Sequence, residues 1–344
     1  MKKKALIFRA SPAMGDMIFI SFVPRQLKER GYKQVDLANW DSNKFVFENN
    51  PYVDNIISLD EIKEDFEKQK AMWEKEYDLF DLRFTVEYNY LEKSHQVEYT
   101  IEERRKRADG KNYYLDALSK YKLSGKKGEL YLSDREKLEI DKYTLQDRRR
   151  ILWQPLGGGR NKKIIYMNAY INEIAKKMPK IEHWICGTAE QQTPIRIKND
   201  KVIIKDMRGV WTPRQTLYMT KIFDLTISPE SFVANIAGAF DIPNMIFFSH
   251  SKPENLSKFF KKSYSVIPTC QCSPCYLLIT DFRRCINLKQ RAYARKQEEF
   301  CLYRDAKNIY RGIGFRCCID VDHESIVKKI LGIMRKISLG IMKS

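Results

Sequence analysis

The chain has 344 residues, 43% of them hydrophobic and 31% charged, and Lys+Arg 62 against Asp+Glu 44 give a net charge of +18. A chain of this length usually divides into more than one core, and this much apolar surface excludes a disordered polymer. No uncharged run reaches the roughly 18 residues of a membrane-spanning helix, so a soluble, basic, globular protein is expected.

The first apolar run, residues 4–9, is strand-like and ends in a loop containing Pro12 and Gly15. Lys2, Lys3 and Lys4 before it resemble the start of a signal peptide. Arg9 and Asp16 interrupt the apolar stretch and no small-residue cleavage site follows, so it reads as the first strand of a cytoplasmic protein. Helical spacing follows over 17–30, stopped by Gly31. Further strands are expected at 34–38, 55–59 and 77–84, with a charged helix over 61–75 and a polar helical region from 88 to 150.

The pattern restarts at residue 151. Strands are expected at 151–155, 182–186, 202–205, 223–228 and 244–248, and helices at 165–177, 213–221, 232–240 and 323–337. Strands alternating with helices imply parallel sheets with right-handed crossovers. Two such arrays predict two Rossmann-like, doubly wound α/β domains, 1–148 and 149–344, that face a cleft. Ligands in such sheets sit beyond the carboxyl ends of the strands.

Three segments fall at those ends. Gly15-Asp16 follows the first strand, where a carboxylate can cap a helix or act as a general base toward a hydroxyl. Pro155-Leu-Gly-Gly-Gly-Arg160-Asn-Lys162-Lys163 has glycines that let a ligand approach the backbone and cations that neutralise phosphate; a solvated turn has the same composition. It is not a Walker loop, because the lysine spacing and the Ser/Thr are wrong. In residues 227–243, Glu230 and Ser231 come at a strand end and precede a helix rich in small residues, whose first turn attracts anions or is simply a capped core helix.

Taken in order, these elements resemble glycosyltransferase family nine, the ADP-heptose:lipopolysaccharide heptosyltransferases. The family's Gly-Asp loop is similar to Ala5–Asp16, and its Asn-Pro-x-Val-Asp turn to residues 50–54. Its Pro-Gly…Lys loop resembles Pro155…Lys162, and its Gly-x-x-Glu resembles Gly187–Glu190. Its Asp-Ser-Gly-Pro-x-His stretch aligns from Glu230, and its Cys-Ser-Pro-Cys with Cys272–Cys275. The resemblance implies a GT-B fold and an inverting transfer from a nucleotide-diphosphate sugar. Asp16 would be the base, Lys162 with Lys163 or Arg160 would hold the diphosphate, Glu190 would reach the nucleoside, and Glu230 with Ser231 would hold sugar or phosphates. No metal would be required for the chemistry. Three departures stand out: Glu230 for Asp, Phe232 for Gly and Asn235 for His. They imply a reshaped donor pocket.

Seven of the eight cysteines fall between Cys270 and Cys318. Cys270, Cys272, Cys275 and Cys285 could close a structural zinc site, or stay as buried thiols or occasional disulfides. They lie in a basic insertion over about 250–318. Charge is uneven: residues 1–150 carry +2 and the remainder +16. Residues 250–316 hold 14 basic and 5 acidic side chains among several aromatics. A polyanion suits such a surface, either a lipopolysaccharide-type glycan at the inner membrane or DNA carrying a hydroxylated base, and so does plain solvation. A non-catalytic polyanion-binding protein on the same scaffold is the alternative reading.

Overall fold

A computed structural model describes residues 4–11, 13–62, 65–83, 99–144, 148–190, 194–199, 202–277 and 315–342. The first sheet comprises β1 (Lys4–Phe8), β2 (Gln34–Asn39), β3 (Asn55–Ser58) and β4 (Asp78–Asp81), in the order β3-β2-β1-β4. The second comprises β5 (Arg150–Trp153), β6 (Glu182–Ile185), β7 (Ile203–Asp206), β8 (Leu225–Pro229), β9 (Asn244–Phe247) and β10 (Ser263–Val266), in the order β10-β9-β8-β5-β6-β7. Every pairing is parallel. Helices cover both faces of such sheets, so the central strands read as unbroken apolar runs; Ala5–Phe8 and Ile151–Trp153 are wholly buried. In each sheet the first strand is central and the chain winds outward on both sides. That places switch points between β1 and β4 and between β5 and β8.

The helix expected over 17–30 is two helices, α1 (Met14–Ile20) and α2 (Val23–Glu29). Pro24 has no N–H to donate, so it starts the second helix rather than continuing the first. The earlier start of α1 places Asp16 within its first turn. The charged helix α3 (Phe66–Glu76) begins late, where the Asp65 side chain accepts from the Glu67 N–H. α7 (Met167–Lys177), α8 (Pro213–Met219) and α9 (Phe232–Phe240) fall at the expected places in the second half. Strand β10, a four-residue polar edge between lysine pairs and loop, had no sequence signal.

Two helices encoded with the first half, α4 (Ile101–Ala108) and α6 (Asp134–Thr144), dock onto the second, with α5 (Leu115–Lys120) between them in the chain. From α4, Arg104 donates to the Cys275 carbonyl and Arg105 to that of Pro274. Asn255, in the short helix α10 (Pro253–Leu256), donates to the Ala108 and Lys111 carbonyls. Beside α6, Arg214 forms a bidentate pair with Glu136 at 2.6 and 2.7 Å and also donates to the Phe45 and Tyr131 carbonyls. One apolar cluster therefore runs through both halves, from Phe19 and Ile140 to Leu217 and Val233. A second lies under α12 (His323–Ser338), whose Ile326, Ile330 and Met334 pack with Ile171 and Ile174 of α7.

His183 on β6 is fully buried, and its Nδ1 accepts from the Trp153 indole N–H at 3.1 Å. Burial pushes its imidazole down to about 4, so the neutral ring is the native form. Its contribution to stability is complete above the ordinary value near 6.5 and is lost as pH falls toward 4. That span is worth about 3 kcal/mol. His183→Gln, which keeps an acceptor for Trp153, is therefore expected to flatten the fall in melting temperature between pH 6.5 and 4; pH-resolved thermal melts check this.

Candidate active site at the switch points

Asp16 sits in the first turn of α1 with its side chain 20% exposed. Its Oδ2 accepts from the Arg9 guanidinium at 3.0 Å and from the Ser11 hydroxyl at 3.0 Å. Arg9, the residue after β1, is almost wholly buried, and its Nη1 donates to the Leu82 and Arg83 carbonyls beyond β4. The carboxylate is thus oriented by a cation that is itself locked across the first switch point. Neither Arg9 nor Ser11 was singled out in the sequence; the signal was a lone arginine closing an apolar strand.

The two lobes meet beside that carboxylate. Asn235 of α9 donates to the Gly15 carbonyl at 3.1 Å. A Cβ on Gly15 would stand 2.8 Å from the Asn235 Nδ2, so a side chain there would displace the Asn235 amide from this contact. Phe232, in place of the family's glycine, is half-buried against Phe45, with ring centroids 5.7 Å apart and edge-to-face.

Ser231 is the N-cap residue of α9, but its own side chain makes no cap. Its hydroxyl donates to Gln154 Oε1 at 2.6 Å, and the same oxygen accepts the Val233 N–H at 3.2 Å. Gln154, at the carboxyl end of β5, supplies the cap across the second switch point. A single glutamine after a strand carries no pattern, and sequence reasoning missed it.

The glycine-rich segment is a tight turn. Leu156 and Lys163 form an antiparallel bridge, the Gly157 N–H donates to the Lys162 carbonyl, and the Lys162 N–H to that of Gly159. Gly157 has no room for a Cβ, which would lie 2.9 Å from the Lys162 Cβ. Arg160, Lys162 and Lys163 are half-buried on this turn, within the same loop that follows β5. Asn161, buried at its tip, donates to the Leu277 carbonyl, and its own carbonyl accepts from the Cys318 thiol.

Glu230 does not face the cleft as expected; it is buried. Oε1 accepts from the Ser249 N–H and hydroxyl and pairs with His250 Nδ1 at 3.0 Å, while Oε2 accepts from the Ser251 hydroxyl. Burial alone would raise its carboxyl, but the charges of His250 and Lys162 and the Ser251 hydroxyl hold it well below the usual carboxylate range. A carboxylate holding these groups ties the β8 end to the loop after β9 and has little capacity left for a sugar. Glu190 lies on an exposed turn after β6, next to β5 in the sheet. The structure thus groups Asp16 with the start of α9, and Glu230 with His250 and the charge of Lys162.

Of the expected thiol ligands, Cys270, Cys272 and Cys275 pack in one apolar cluster with Cys317 and Cys318, which belong to the short helix α11 (Arg316–Ile319). Cys285 lies outside the described residues, as does most of the basic, aromatic stretch that contains it. The Cys270 and Cys272 sulfurs are 3.6 Å apart, close to the roughly 3.8 Å edge of a zinc–thiolate tetrahedron. The Cys272 thiol holds that of Cys270 down to about 7. Among the described residues no three ligand-type side chains converge on one point, so the spacing fits only part of a metal site. No described helix is long and apolar enough to cross a membrane.

No family model and no curated protein matches the sequence. Solved structures do match the fold. A glycosyltransferase family 9 protein from Veillonella parvula aligns at TM-score 0.57 and 13% identity over 77% of this chain and 86% of its own. The ADP-heptose LPS heptosyltransferase II of E. coli aligns at 0.53 and 13%, over 86% and 98%. The iron-containing dodecameric heptosyltransferase TibC, solved with ADP-D-β-D-heptose, aligns at 0.57 and 10%, over 99% and 78%. The paired parallel sheets, their switch points and these alignments give the chain the two-lobed, heptosyltransferase-like GT-B fold of glycosyltransferase family 9.

Proposed function

We propose that the protein is a glycosyltransferase that moves a sugar from a nucleotide-diphosphate donor to a hydroxyl acceptor with inversion. The observation that carries this reading is the meeting of Gly15, the neighbour of Asp16 on α1, with the first turn of α9 across the lobe boundary. Asp16 accepts the acceptor's proton as the hydroxyl oxygen attacks the anomeric carbon. The nucleoside diphosphate leaves from the opposite face with the bonding electron pair. Lys162, Lys163 or Arg160 and the amino-terminal end of α9 receive that charge, an arrangement that needs no metal. Glu230 acts as the buried buttress of the donor seat.

The acceptor is a bacterial surface glycan of the lipopolysaccharide-core kind, a reading supported by the structural likeness to the LPS heptosyltransferase of E. coli. Thermal-shift measurements with nucleoside diphosphates and their sugars test the donor side, since a ligand bound only by the native state raises its melting point. Labelled-sugar transfer to core glycan and to hydroxymethylated DNA tests the acceptor. Failure of every donor in both assays favours the non-catalytic polyanion binder. Elemental analysis for zinc on protein purified without a histidine tag tests the thiol cluster: because no three described ligand-type side chains converge, less than about a tenth of an equivalent is expected, and about one equivalent would restore a structural zinc site.

A further inference from the structure

Three side chains meet where β5 and β8 part. The Lys162 stem lies over Gly157 beside Pro229, since a Cβ on Gly157 would stand 3.3 Å from both the Lys162 Cδ and the Pro229 Cγ. Ser231 comes two residues after that proline and opens α9. Gln154 follows β5, and its backbone N–H ties it to β8 through the Ile227 carbonyl at 3.0 Å.

Ser231, expected to hold sugar or phosphates, spends its one O–H on Gln154 Oε1 at 2.6 Å. The amide that receives it has a fixed orientation. The Val233 N–H can only donate, so the branch of the amide that faces it is the oxygen and the other branch is the nitrogen. Among the described residues nothing accepts from Nε2, and the half-buried side chain leaves that nitrogen open to water. A primary amide anchored through its oxygen thus presents two N–H donors beyond the carboxyl end of β5, where ligands of such sheets bind. Donors of this kind fit a group that only accepts. A phosphoryl oxygen is such a group, and Lys162 on the same corner supplies the opposite charge.

We infer that Gln154 is a donor-binding residue, whose Nε2 donates to a diphosphate oxygen of the nucleotide sugar while Oε1 stays anchored on Ser231 and Val233. Ser231 then acts on the donor through Gln154, as a positioning residue. The inference rests on the transferase reading and adds to it a neutral contact beside the cations.

Gln154→Glu separates the two tasks of this side chain. A carboxylate still accepts from Ser231 and Val233, but it has no N–H to give and carries the same sign of charge as phosphate. The variant is expected to melt with the native chain when unliganded. Its affinity for ADP, UDP or GDP, whichever stabilises the native chain, is expected to fall at least about tenfold in thermal-shift titration. Native affinity in a folded Gln154→Glu overturns the inference alone and leaves Gln154 a helix cap. Native affinity for the nucleoside diphosphate with weakened binding of its sugar conjugate moves the contact to the sugar, which also overturns it. A native chain that none of the three stabilises overturns the transferase reading and the inference with it. Should Gln154→Glu melt early, Gln154→Leu is titrated by calorimetry below its melting temperature; a loss of about tenfold or more supports the contact, and native affinity overturns it.

Discussion

Asp16→Asn is expected to leave the melting temperature near that of the native chain and to lower transfer by about two to four orders of magnitude. Asparagine is nearly isosteric and can still accept from Ser11 and Arg9, whose remaining hydrogen bonds run to the Leu82 and Arg83 carbonyls. What disappears is the ability to take a proton as the acceptor oxygen bonds to carbon. The measurement is single-turnover transfer with labelled donor, alongside donor affinity from the thermal-shift titration. A fall in transfer with donor binding intact is the signature of a lost base. Near-native turnover in Asp16→Asn would remove the assignment. Arg9→Met is a useful companion, because it removes the orienting cation yet leaves the carboxylate.

Arg214→Ala should give the largest loss of stability, about 3 kcal/mol. The side chain is 11% exposed and Glu136 13%, so their bidentate pair is well shielded, though less than a fully buried one. Truncation leaves Glu136 without its cation and removes a donor from the Phe45 and Tyr131 carbonyls. Arg214→Lys should recover little, since an ammonium cannot serve four acceptors with the planar fork of a guanidinium. Burial tends to raise the Glu136 carboxyl, but Arg214 and Ser133 bring it below its ordinary value. Its stabilising contribution is therefore present above the usual carboxylate range and fades as pH falls through it. The gap between native and Arg214→Ala in chemical denaturation should accordingly narrow in acid.

Much of this architecture could be read from the residues, because a strand buried on both faces must be apolar along its length. Ala5–Phe8, Ile151–Trp153 and Leu225–Ile227 are such runs. Helix α9 was legible at both ends, from the polar residues that open it to Asp241, which closes it in the left-handed conformation. The docking of α4 and α6 was not, because it rests on arginines that look like surface residues in sequence yet lie buried or shielded, Arg104 and Arg214. The carboxylate of Glu230 was found but its direction was not. Sequence shows that an acid follows a strand, whereas only the loop after β9, with Ser249, His250 and Ser251 in succession, shows where it turns. Gln154 escaped for a related reason: a cap that comes from a neighbouring strand leaves no mark in the helix it serves.

The way α4 and α6 cross onto the second half bears on how the protein can be divided. A cut after residue 148 separates two sheets in sequence but tears a single apolar cluster, leaving Leu217, Tyr218 and Ile222 on one fragment and Ile140 and Leu118 on the other. Neither fragment would then keep its own interior closed to water. Proteolytic nicking at that junction should yield pieces that stay associated until denatured, and co-expressed halves should reassemble where either alone aggregates.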